Sequence, residues 1–194
     1  MEIFIELFRS HSSLASSLIQ YVVYTASALL FINGLWAGFK AWRWLRKPRP
    51  ERLEQMYQHP LSADDPLILI IMKAYGSAVR NTEHSLSHPS FIADATRQMA
   101  ENMFESRYME SLTMSSNLLP PLGFIGTVFG MILIFLAKVN PGSELNTIGL
   151  GTALFTTLLA LFLFVILEII KMWLARLTKH RIEMGLILAM EKQS

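Results

Sequence analysis

Three stretches of the chain are apolar without a charged interruption: residues 18–39, 118–137 and 145–167, with Glu168 following the third. A helix needs about 20 consecutive apolar residues to cross a bilayer. A buried helix of a water-soluble protein seldom lacks a polar stripe over that length. The pattern therefore predicts three transmembrane helices, with spans at 18–39, 118–137 and 145–170. Between the first two lies the one extended polar region, residues 40–117, punctuated in its first half by Pro48, Pro50, Pro60, Pro66 and Pro89. Ser62 to Pro66 reads as a helix start, with acidic residues before a proline. The run 67–72 is apolar all round but too short to span, which fits a helix buried against neighbours. From about Ser90 to Asn117, Ile92, Met99, Met103, Phe104, Tyr108 and Leu112 recur near helical spacing, and Pro120 is the first helix breaker. The second span is thus expected to continue into the polar region as one rod. The third is expected to do the same through residues 171–194, so that the two rods bundle.

The fold class that follows is an all-α membrane protein, with three transmembrane helices, two of them extended into a cytoplasmic helical bundle. Orientation comes from lysine and arginine placement. Lys40, Arg43, Arg46, Lys47, Arg49 and Arg52 follow the first span, and Lys171, Arg176, Lys179 and Arg181 follow the third. Both clusters belong on the cytoplasmic side, which puts the segment 1–17 and the short loop 138–144 outside. Trp36, Trp42 and Trp44 fall where an aromatic belt would meet the inner headgroups. In Met1–Arg9, Ile3, Phe4, Leu7 and Phe8 share one face opposite Glu2, Glu6 and Arg9, a pattern suited to an interfacial amphipathic helix or to an extension of the first span. Those acids also speak against a cleaved signal peptide, whose start is basic.

Composition narrows the chemistry. Of 194 residues, 52% are apolar and 16% charged, with a mean hydropathy of +0.37, which is far from a disordered or coiled-coil chain. Cysteine is absent, so disulfides, thiolate metal sites and cysteine nucleophiles are excluded. His84 and His88 stand four apart beside Glu83, but Pro89 pushes His88 out of helical geometry and no third ligand is near. No metal site, no cofactor and no catalytic residue is expected. No phosphate-binding glycine loop or hydrolase motif is present, and the spans lack the paired acids or Ser/His sets of an intramembrane enzyme. The basic cluster at 40–52 is explained by topology, so no nucleic acid is expected as a partner.

The second and third spans depart from plain hydrocarbon. The second opens Pro120-Pro121-Leu-Gly123-Phe-Ile-Gly126-Thr127-Val-Phe-Gly130, with small residues spaced four apart that favour close backbone approach. Gly34 and Gly38 in the first span share that spacing and suit packing within the chain. In the third, Thr152, Ala153, Thr156 and Thr157 gather hydroxyls and small side chains on one face. A line of hydroxyls at the depth of Thr127 can wall a path for water or an ion, although each threonine can also bond its own helix carbonyl. Glu168 lies beside Lys171 at the inner boundary, where it can snorkel or pair.

The block from Pro120 to Met131 and the later Ala153-Leu-Phe-Thr156-Thr157 resemble the MotA/TolQ/ExbB family, whose hallmark is a Pro-Leu-Leu-Gly-Leu-Leu-Gly-Thr-Val-x-Gly-Met block followed by an Ala-Leu-x-x-Thr block. The three-span topology is similar to the TolQ/ExbB arrangement. This resemblance implies a multi-pass A-type subunit of an ion-motive-force-driven motor in the bacterial inner membrane. It implies a homopentamer around a dimer of an ExbD/TolR/MotB-like single-span subunit that carries an essential aspartate. Thr127 and Thr157 match the family's channel-lining threonines, with Thr156 and Thr152 beside them on the ion path. Pro120, Pro121, Gly123, Gly126, Gly130 and Ala153 would pack the partner's helix. Two positions depart from the pattern: the family's glutamate before the Ala-Leu block is Thr152 here, and its later proline falls near Ile166. The first leaves proton and sodium both open. A non-conducting three-span scaffold or assembly factor is the alternative reading of the same chain.

Overall fold

The computed structural model describes residues 12–46, 48, 50–60, 62, 65–82, 89–138 and 145–193. The N-terminal segment Met1–Arg9, the pair His84 and His88 with Glu83, and residues 139–144 of the loop expected outside lie outside the described residues. All regular structure among the described residues is helical: α1 Ser12–Trp44, α2 Pro50–Gln58, α3 Leu67–Thr82, α4 Pro89–Phe104, a π turn Glu105–Met109, α5 Glu110–Lys138 and α6 Leu145–Glu191. Three stretches, Gln20–Leu45, Ser90–Ile132 and Gly149–Glu191, are long and apolar enough to cross a membrane. The protein is an all-α membrane protein. Its helices overrun the apolar windows that announce them, because an apolar count marks hydrocarbon depth while the backbone hydrogen-bond ladder continues into flanking polar residues.

The chain divides into two units. The first comprises α1 up to Leu35, α5 from Leu112 and α6 up to Ile169. Its helices meet through small residues. A Cβ on Gly34 would lie 2.8 Å from a Leu167 methyl and 3.3 Å from Ser115 Cβ, so the glycine lets α1 rest directly on both other helices. Polar groups tie the same helices: Asn33 Nδ2 donates to Ser115 Oγ at 3.0 Å, and Gln20 Nε2 donates to Thr152 Oγ1 at 2.6 Å. Such bonds matter in lipid, where apolar contact alone does not favour one helix partner over hydrocarbon.

The second unit holds the rest of α1, α2, α3, α4, the π turn and the C-terminal part of α6 from Ile170. Its core is the run Leu67, Ile68, Leu69, Ile70, Ile71 and Met72, every member buried. Full burial of such side chains is worth about 1.5–3 kcal/mol each, which accounts for a helix apolar all round. α3 starts as the sequence predicts: the N–H groups of Leu69 and Ile70 donate to the Pro66 carbonyl. Asp65 differs from a simple cap, since its Oδ2 accepts from the Ser62 N–H at 2.8 Å and closes the preceding turn. Lys73 Nζ donates to the carbonyls of Met56 and His59 at 2.8 and 2.6 Å, satisfying the end of α2, where helix carbonyls lack intrahelical partners. Gly185 packs on Ile71, joining α6 to this core.

The rod predicted over 90–117 is continuous but not uniform. Ile92, Thr96, Ala100, Phe104, Tyr108 and Leu112 are buried at intervals of four, whereas Met99 is exposed. An α-helix with 3.6 residues per turn rotates such a stripe by about 40° at each step. The π turn absorbs part of that drift: the Glu110 N–H reaches back five residues to the Glu105 carbonyl, adding one residue to the turn. Trp44 is a correction to the belt reading. It is 5% exposed and packs against Phe104 and Tyr108, with ring centroids 6.3 and 5.2 Å away, while Trp36 is 70% exposed.

Candidate functional site

α5 and α6 meet along a notched face in the first unit. A Cβ on Gly123 would stand 2.8 Å from Ala160 Cβ and 3.1 Å from Thr157 Cα. One on Gly126 would collide with the Thr156 side chain, and one on Gly130 would lie 2.5 Å from the Gly149 carbonyl oxygen and 2.6 Å from Ala153 Cβ. A glycine offers a single missing Cβ direction, and here all three point at α6 of the same chain. Gly123, Gly126, Gly130 and Ala153 thus bring two helices of one chain together; the sequence reading assigns them to packing of a partner's helix. Pro121 is exposed and Pro120 half-buried on the same helix.

This closeness brings two of the predicted threonines together. The Oγ1 atoms of Thr127 and Thr157 are 2.5 Å apart, and both side chains are half-buried. Around them are the Gly123 carbonyl, 3.3 Å from Thr127 Oγ1 and 3.0 Å from Thr157 Oγ1, and the Ala153 carbonyl, 2.9 Å from Thr157 Oγ1. Each hydroxyl has one proton to donate and two lone pairs. Two protons thus serve two carbonyls and the bond between the hydroxyls. Either threonine can donate to the other, and reversing that bond needs only hydroxyl rotation. Such a pair can donate to an anion or accept from an acid presented at its open side.

Thr156 and Thr152 are placed differently. Thr156 is 1% exposed and its hydroxyl donates to the Thr152 carbonyl at 2.7 Å, the local bond that a helical threonine commonly makes. Thr152, also buried, receives the Gln20 amide. Both side chains are buried in the helix packing, whereas Thr127 and Thr157 are half-buried. Sequence reasoning missed Gln20, Asn33, Ser115 and Ser116. Their one signal was that each is a polar residue in or beside an apolar span. Glu168 is also not simply interfacial: its Oε1 accepts from Ser116 Oγ at 2.7 Å.

These features define a membrane-embedded helical protein with a hydroxyl pair between two spanning helices. The sequence model of the MotA/TolQ/ExbB proton channel family matches residues 67–185, more than half of the chain. The chain belongs to that family, and its general role is that of an ion-channel protein of the motor-stator kind. Searches of curated proteins and of solved structures give no match.

Proposed function

We propose that the chain is the A-type subunit of an inner-membrane motor driven by an ion gradient, with five copies surrounding two copies of a single-span partner that bears an aspartate. The Thr127–Thr157 pair is the observation that carries this reading. A carboxylate inside hydrocarbon is costly unless hydrogen-bonded. Two hydroxyls that can each donate or accept ease that cost in both the charged and the protonated state, which an aspartate alternating between them requires. The placement of Lys40–Arg52 and Lys171–Arg181 supports a cytoplasmic C-terminus and an outer N-terminus. The ion enters from outside, loads the partner's aspartate beside Thr127 and Thr157, and leaves to the cytoplasm, so that loading and release turn the pentamer about the dimer.

Thr127→Val and Thr157→Val test this, since valine keeps the shape and removes the hydroxyl. Each is expected to abolish gradient-driven function in cells while the complex still purifies at wild-type mass. Full function in both variants overturns the ion path. Function that survives collapse of the gradient points instead to a scaffold.

A further inference from the structure

Among the described residues, a second polar rung connects α5 to α6 besides the one used by the function proposed above. The second is Ser116 Oγ donating to Glu168 Oε1 at 2.7 Å. Thr127 and Ser116 are eleven residues apart on α5, and Thr157 and Glu168 are eleven apart on α6. Eleven residues close three helical turns to within about 20°, and they advance about 16 Å. Both rungs therefore lie on one helix–helix face, at matched heights, with Gly123 on Ala160 between them.

The local backbone departs from the regular helical ladder next to this second rung. Pro120 and Pro121 sit inside α5. Having no N–H, they withhold the helical bonds that the carbonyls of Ser116 and Asn117 would otherwise accept. The second rung is thus a carboxylate hydrogen-bonded to a buried hydroxyl, a pair of oxygen donors. Hard monovalent cations and protons favour such a set. In the same layer Asn33 bonds Ser115 and Gly34 packs on Leu167, none of them charged; Lys171, one turn further along α6, is the neighbouring charge on Glu168's own helix.

We propose that Ser116 and Glu168 form a second cation-holding site on the inner side of the ion path, with Glu168 as the group that takes the proton or sodium ion and Ser116 as its positioning residue. This rests on the function proposed above. About 16 Å is too far for one hydrogen bond, so the site is a separate station, filled after the cation leaves the threonine pair and emptied toward the Lys171 side. A proton that arrives there joins a Glu168 carboxylate oxygen, and it departs to water as hydronium.

The test uses the complex of the full chain with the single-span partner that co-purifies with it, in liposomes under an imposed potassium potential, with an entrapped pH dye and, in parallel, external sodium as probe. Wild type, Thr157→Val, Glu168→Gln, Glu168→Asp and Ser116→Ala are compared, each required to elute at wild-type mass. The same proteins in lipid nanodiscs give infrared difference spectra between acidic and alkaline buffer. The expected result is flux reduced by about tenfold or more in Glu168→Gln and largely retained in Glu168→Asp. One component of the protonated-carboxyl absorption should be missing from Glu168→Gln relative to wild type and displaced in Ser116→Ala, and this component is the band followed. Response of the dye assigns a proton, and dependence on sodium assigns the metal ion; in the sodium case the band is suppressed by sodium. Wild-type flux in Glu168→Gln while Thr157→Val is inactive overturns this site and leaves the proposed function standing. Wild-type flux in Thr157→Val overturns the function. With no flux in any protein, the infrared band decides: unchanged in Ser116→Ala or still present in Glu168→Gln, it overturns the site.

Discussion

The hydroxyl oxygens of Thr127 and Thr157 meet at 2.5 Å across helices joined thirty residues apart in the chain. What permits the meeting is the missing Cβ of Gly123 and Gly126, which brings the α5 backbone down onto Thr156, Thr157 and Ala160. Serine should replace either threonine of the pair with most of the cation flux kept, because it retains the hydroxyl. Valine should remove the flux. Dye-monitored flux in vesicles separates the two outcomes, and equal loss in serine and valine variants would mean that shape, not the hydroxyl, is what counts.

Gly126→Ala should destabilise the helix packing by about 1–3 kcal/mol, the usual cost of overfilling a packed contact. The new methyl meets Thr156 Oγ1 and Cβ. Adding Thr156→Ala removes the hydroxyl and methyl it strikes and should restore part of that loss. Thermal unfolding of the single and double variants in detergent measures both, and purely additive losses would show that the two residues do not touch.

Thr152→Val and Gln20→Leu should each cost about 0.5–2 kcal/mol, the range for an interhelical hydrogen bond in a membrane. Because the two residues share one bond, the double variant should lose little more than either single one. Flux should persist in all three. Its loss in Thr152→Val would return that residue to the ion path.

Much of this arrangement is written in local patterns. Uninterrupted apolar runs mark the three spans, and the all-apolar run from Leu67 to Met72 announces its own burial. The resemblance to the family's motif blocks marks Thr127 and Thr157. What the pattern does not disclose is direction. Gly123, Gly126 and Gly130 have the small-residue spacing of any close helix contact, and only the structure shows that α6 of the same chain fills it. Trp44 and Trp36 look alike beside a basic cluster, yet one lies in a core and the other does not. Long-range pairing decides such cases, as it does for the Ser116–Glu168 bond, whose partners are 52 residues apart. The π turn was hidden too, because burial at every fourth residue looks like an ordinary helix until the accumulated rotation is counted.

Trp44 should therefore behave as a core residue. Trp44→Ala is expected to cost about 3–5 kcal/mol, through loss of packing against Phe104 and Tyr108. Trp36→Ala should change stability by no more than about 0.5 kcal/mol. Unfolding midpoints of the two variants check this, and equal shifts would contradict the burial difference.

The most direct measurement of a wet passage at the threonine pair exploits the absence of native cysteine. Thr157→Cys and Phe155→Cys place one thiol each at similar depth but roughly 160° apart around α6. The expected result is that a small, membrane-impermeant thiol reagent modifies Thr157→Cys quickly and blocks its cation flux, while Phe155→Cys reacts slowly and conducts as before. Equal, slow reaction at both positions, with flux untouched, would contradict a water-filled path beside Thr127 and Thr157.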